Sequence, residues 1–130
     1  MTAIQNRRGY APALLVLAML APFPTQAFEP QRGVAAVYDA KRFAGRPMAN
    51  GARFNPEANH AAHRHLPFGT IARVTDLRTG RSTTVVISDR GPFTRGRIID
   101  LSPRSARELG MGIGLAQVEI RPLVEVAEAP

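Results

Sequence analysis

Two aspartates stand where β-prone runs give way to a bend or a helix, and either can do proton chemistry. Asp89 lies in Ser88-Asp89-Arg90-Gly91-Pro92-Phe93, directly before a Gly-Pro bend. Strand ends are where a rigid scaffold presents reactive groups. A carboxyl there can act as general acid and base if Ile87, Pro92 and Phe93 raise its pKa, whereas pairing with Arg90 would lower it. The same spacing suits a turn cap or an arginine partner, and on spacing alone that plainer role is favoured. Asp100 lies in Arg97-Ile98-Ile99-Asp100-Leu101-Ser102. It can hold a helix start through backbone N–H groups or face the same groove as Asp89, and capping is the simpler of the two.

Three histidines, His60, His63 and His65, crowd a short segment and raise the question of a metal. Structural zinc draws four ligands from Cys and His at defined spacings, and this chain has no cysteine. No metal and no cofactor are therefore expected. His63, in Ala61-Ala62-His63, reads as a hydrogen-bonding or substrate-positioning residue, with His60 and His65 at the surface.

The elements that must position these groups are mostly strands. A β-prone run begins at Gly33 and ends at Tyr38, and Gly45, Pro47, Asn50 and Gly51 then break the chain as far as Phe54. The segment from Glu57 to Leu66 can form a turn of helix, ended by Pro67-Phe68-Gly69. Thr70 to Leu77 and Ser82 to Ser88 flank Arg78-Thr79-Gly80-Arg81 and read as a hairpin, Gly80 supplying the positive φ of a short connection. A short strand follows from Arg97 to Leu101. Ser102 as N-cap, Pro103 in the first turn and Gly110 at the end define a helix through Leu109. In the last strand, Leu115 to Leu123, Ala116, Val118 and Ile120 alternate with Gln117, Glu119 and Arg121. Short strands, one capped helix and many Gly and Pro turns predict a closed barrel.

Residues 1–27 read as a signal peptide: Arg7 and Arg8 precede an apolar stretch from Ala11 to Ala21, with a small-residue exit at Thr25-Gln26-Ala27. Cleavage is expected near Ala27. The Arg pair lacks the flanking residues of a twin-arginine signal, so the export route stays open. The apolar run falls short of the ~20 residues a spanning helix needs, and stable membrane insertion is not expected. One domain is expected over residues 28–123, with a frayed tail over 124–130. The 17 basic residues, less Arg7 and Arg8, leave 15 against 10 acidic ones, a mature net charge of +5. Arginine dominates, which suits polyanionic or sugar surfaces. Nucleic acid is not an expected partner, because the chain is read as exported and lacks the stacking aromatics of a single-strand binder.

Taken in order, these motifs resemble the rare lipoprotein A family of septal lytic transglycosylases, whose barrel is similar to that of expansins. The resemblance runs from Gly33 to about Leu123. It is carried by Ala49-Asn50-Gly51, Ala61-Ala62-His63 with Leu66-Pro67-Phe68-Gly69, Arg73-Val74-Thr75-Asp76-Leu77 with Gly80-Arg81-Ser82, Asp89-Arg90-Gly91-Pro92-Phe93, and Arg97 to Ser102. It implies an all-β fold with one short helix, a small six-stranded double-psi β-barrel. By the same resemblance, Asp89 and His63 match catalytic positions, Asp100 matches a groove aspartate, and Arg90, Asn50 and Phe93 would bind substrate. The implied reaction is non-hydrolytic cleavage of the β-1,4 bond between N-acetylmuramic acid and N-acetylglucosamine, leaving a 1,6-anhydro end. No enzymic nucleophile is needed, because the substrate's own C6 hydroxyl attacks the anomeric carbon, unlike the two-carboxylate arrangement of most glycosidases.

Three departures qualify this. The family carries a Glu directly after the Asn-Gly turn, where this chain has Ala52; Glu57, five residues on, reads as a solvated loop charge. The cysteine of a lipoprotein is missing, so a free periplasmic protein is expected, acting on peptidoglycan glycan strands as a monomer. No glycan-binding repeat follows Leu123. Ala52 keeps open an alternative, an expansin-like protein that grips glycan without cutting it, and a barwin-like interaction domain is a third reading.

Overall fold

The computed structural model describes residues 29–112 and 114–124, together with Gly9 and Pro12. The expected signal peptide, its cleavage point and the tail beyond Val124 lie outside the described residues.

Eight elements follow one another: β1 (Gln31–Val37), α1 (Ala40–Phe43), β2 (His60–Ala62), β3 (Ile71–Asp76), β4 (Ser82–Asp89), β5 (Arg97–Leu101), α2 (Pro103–Leu109) and β6 (Ala116–Val124). The six strands close into a barrel in the order β1-β5-β2-β4-β3-β6, the small six-stranded architecture expected. β1 with β5 and β2 with β4 are parallel, and the other four pairings are antiparallel. Closure removes the unpaired edges that an open sheet would leave. The core is aliphatic: Val74, Val85, Ile87, Ile99, Leu101, Leu109, Val118 and Ile120 are all fully buried. Inside β1, Gly33 leaves the space that Ile98 occupies; a Cβ there would meet the Ile98 side chain at 2.8 Å.

The hairpin forms as its residues dictate. Gly80 adopts a φ of 76°, and buried Asp76 accepts from Arg78 N at 2.8 Å, tying down the turn. α2 is also capped as expected, by Ser102 Oγ accepting from Ser105 N and by Gly110 in the left-handed conformation.

Two segments differ from expectation. The stretch read as a helical turn holds β2 instead, because Ala61 and Ala62 are small enough to pack fully buried between β4 and β5; long-range pairing overrides the helical preference of alanine. The broken stretch after Tyr38 contains α1, capped by the Asp39 side chain accepting from Lys41 N and Arg42 N. Beyond α1 the chain turns back through an antiparallel bridge, Pro47 to Arg53. Met48 and Phe54 are buried, so this loop is seated on the barrel beside the end of β4.

Candidate active site

Three adjacent strands bring Asp89 and Asp100 to one place. Ala62 on β2 is the parallel partner of Asp89 on β4 and the antiparallel partner of Asp100 on β5. Paired residues project to the same face of a sheet, and two strand spacings place their backbones roughly 10 Å apart. Asp100 does not cap α2, a role taken by Ser102.

The two carboxyls have different surroundings. Asp89 Oδ1 accepts from Ala49 N at 2.8 Å and Arg90 N at 2.9 Å, and its Oδ2 accepts from the Tyr38 hydroxyl at 2.7 Å. Asp100 is half-buried. Burial raises its pKa, Arg97 draws it down and the nearby charge of Asp89 raises it again. His60 Nδ1 is the one buried side-chain polar atom without a partner among the described residues. Asp100 is partly exposed, and no hydrogen bond is among the influences on its pKa.

Tyr38 is the site residue that motif reading missed. Its ring is wedged against Phe54 at 4.6 Å and Phe43 at 5.6 Å between centroids, with His60 at 6.3 Å. Burial, then the hydrogen bond and charge of Asp89, then the charge of Asp100, push its pKa above the ordinary tyrosine value. Only its place at the end of a β-prone run hinted that it would be held near the other strand ends.

His63 sits close in backbone terms, its N donating to Asp89 O at 3.1 Å. Its imidazole serves the following loop: Nδ1 accepts from His65 N and Leu66 N, both at 3.0 Å, and Nε2 donates to Gln31 Oε1 at 2.8 Å. Burial is the main cause that lowers its pKa to about 4, with His65, Arg64 and Arg90 adding to it. A neutral ring with both nitrogens engaged has none free to carry a proton to substrate. His60, expected at the surface, is only 6% exposed, packed edge-on against Phe54 with Nε2 donating to Asn55 O. His65 is exposed.

Arg90 does not pair with Asp89 through its side chain. The guanidinium stacks 3.8 Å over Phe68 and donates to Leu66 O at 2.8 Å and His63 O at 3.3 Å, clasping the loop after β2. Asn50 shapes its own turn, Oδ1 accepting from Ala52 N at 3.0 Å while its backbone N donates to Ser88 O. Phe93 is 80% exposed, so its ring is available to a ligand instead of shielding Asp89. Glu57 pairs with Arg107 at 2.7 Å on the surface. Ala52 is exposed, three residues from Ala49, whose N–H holds Asp89.

Among the described residues no cluster of His, Cys, Asp and Glu could hold a metal ion, and no helix is long and apolar enough to cross a membrane.

Comparison with known proteins agrees with the barrel fold. A family model described as lytic transglycolase matches residues 30–120. The probable endolytic peptidoglycan transglycosylase RlpA of Nostoc sp. is 62% identical over 94 residues, which are 71% of this chain and 25% of that protein. The endolytic peptidoglycan transglycosylase RlpA of Pasteurella multocida is 46% identical over 91 residues, 68% of this chain and 31% of that protein. The chain thus spans about a quarter to a third of the length of these relatives. Among solved structures, an expansin of Clavibacter michiganensis in complex with cellohexaose has a TM-score of 0.58 at 17% identity, over 78% of this chain and 54% of that one. The Streptomyces papain inhibitor has a TM-score of 0.56 at 18% identity, over 76% of this chain and 98% of that one. At such identities these two likenesses concern the fold.

Proposed function

We propose that this chain, which belongs to the lytic transglycolase family, is an exported endolytic peptidoglycan transglycosylase that leaves 1,6-anhydro-N-acetylmuramic acid ends. The observation that carries the reading is the placement of Asp89 and Asp100 on either side of Ala62, with different surroundings. Two carboxyls whose environments differ in this way suit opposite proton roles. Asp100, its pKa raised by burial while the residue stays partly exposed, is the proton donor. Asp89, held by three donors, is the acceptor.

The reaction then balances without an enzymic nucleophile. Asp100 gives its proton to the glycosidic oxygen as the bond from that oxygen to the anomeric carbon breaks. The C6 oxygen of the same sugar bonds to the anomeric carbon and loses its proton to Asp89. Water returns that proton from Asp89 to Asp100. Phe93 offers a sugar face a platform, and Asn50 and Arg90 build the loops around the pair. His63 holds the loop after β2 in register with the backbone of Asp89. Export with cleavage near Ala27, a periplasmic location and a monomeric state complete the proposal.

Ala52 supports a second reading, a barrel that binds glycan without cutting it, since a methyl group stands where the family places a carboxylate. Incubating the protein with isolated sacculi and with peptide-free glycan strands separates the two. Anhydro ends detected by mass spectrometry support the enzyme, and retention on sacculi without product supports the binder.

A further inference from the structure

We propose that Tyr38 is a positioning residue for Asp89: its hydroxyl assigns Oδ2 as the oxygen that takes the substrate's proton, and holds that oxygen before and after the transfer. The inference rests on the reading above, in which Asp89 accepts the proton of the C6 hydroxyl.

The two oxygens of Asp89 are not equivalent. Oδ1 faces the backbone N–H groups of Ala49 at 2.8 Å and Arg90 at 2.9 Å. A backbone N–H can only donate, so a proton placed on Oδ1 would confront two donors and break at least one bond. Oδ2 faces the Tyr38 hydroxyl at 2.7 Å. A hydroxyl carries one proton and two lone pairs and rotates to suit its partner. It donates to the carboxylate at rest, and when Oδ2 gains the substrate's proton the hydroxyl turns and accepts from it. One short contact survives both protonation states, which neither Ala49 nor Arg90 can offer.

The ring is placed firmly enough for this. Phe54, which packs against it, is 3% exposed, and the Tyr38 backbone N donates to Leu101 O at 2.9 Å, one residue past Asp100. The hydroxyl is thus tied by its backbone to the strand of one carboxyl and by its proton to the other. Burial and the two aspartate charges keep Tyr38 in its protonated form, so it remains a donor at neutral pH.

Two measurements on the full chain test this. Tyr38→Phe keeps the ring and removes the hydroxyl. The expected result is a kcat for anhydro-end formation lowered about 10-fold to 100-fold, with KM changed less than about twofold. The second measurement needs no activity. The chain has two tyrosines, Tyr10 and Tyr38, so a Tyr10→Phe background makes Tyr38 the sole reporter. Tyrosinate absorbance read after a rapid pH jump, before any unfolding, is expected to emerge at lower pH in Asp89→Asn than in its Asp89 counterpart. Identical tyrosine titrations would overturn the contact, and an unchanged kcat in Tyr38→Phe would overturn the role. If the parent protein makes no anhydro ends, the enzyme reading fails and takes the positioning role with it. If the parent is active and Tyr38→Phe equals it, the Tyr38 assignment alone fails.

Discussion

Asp89 and Asp100 share a neighbour, Ala62, which pairs with the first in parallel and with the second in antiparallel. The residue paired with both carries only a methyl group, and the Tyr38 hydroxyl bonds Asp89 and also feels the charge of Asp100. The charge of Asp89 therefore acts on Asp100 and, together with burial, favours its protonated form.

A stability cost follows for Asp100. Its folded pKa lies above the ordinary 3.8, so the folded state binds the proton more tightly than the unfolded chain does. Stability is then lost as pH rises from about 3.8 through the folded value. Asp100→Asn carries no such loss. The variant should melt higher than the parent at pH 7, with the difference fading below about pH 3.8, and should form anhydro ends at least about 100-fold more slowly. Unchanged melting and an unchanged rate would mark Asp100 as an ordinary solvated charge.

His63 gives the opposite sign. Its folded pKa, about 4, lies below the ordinary 6.5, so its contribution is complete above about pH 6.5 and is lost as pH falls toward 4. The stability at stake is up to about 3 kcal/mol, and buried His60, also lowered by burial, adds in the same direction. Urea melts from pH 7 to pH 4 should show this fall, and His63→Gln should flatten much of it. His63→Ala should cost roughly 2–4 kcal/mol at pH 7, because two loop N–H groups and Gln31 lose their partner. A pH dependence identical in parent and His63→Gln would contradict the role given to this ring.

Ala52 is exposed, so a longer side chain fits there without displacing the core. Ala52→Glu should raise the rate of anhydro-end formation about tenfold or more, within the range of one added acid–base group. If the rate does not move while binding to sacculi is kept, the pair Asp89 and Asp100 already supplies the proton chemistry.

Phe93 is exposed enough to be removed without harm to the fold. Phe93→Ala should shift stability by less than about 0.5 kcal/mol and weaken retention on peptide-free glycan about tenfold, near 1.4 kcal/mol. Full retention by the variant would place the sugar elsewhere.

The parts of the molecule legible in the sequence are those fixed by local chemistry. The turn at Gly80 needs a positive φ, Ser102 and Pro103 start a helix wherever they stand before a suitable run, and Val118 and Ile120 alternate as a half-buried strand must. The parts that were not legible depend on distant neighbours. Ala61 and Ala62 become strand only because β4 and β5 close on both sides of them. His60 is buried because Phe54, brought back by the loop after α1, covers it. The same loop wedges the ring of Tyr38, so its contact with Asp89 is invisible until residues 38, 49, 54 and 89 meet. Arg90, read as a contact for substrate or for Asp89, turns instead to Phe68 and the carbonyls of His63 and Leu66, a choice set by loop shape and not by spacing.

The most direct test of the central claim compares the parent protein with Asp89→Asn on peptide-free glycan strands, counting 1,6-anhydro ends by mass spectrometry and scoring retention on sacculi in parallel. Product from the parent, a loss of at least about 100-fold in the variant, and equal retention of both are expected. Equal product from the two proteins, or retention of the parent with no product at all, would contradict the claim.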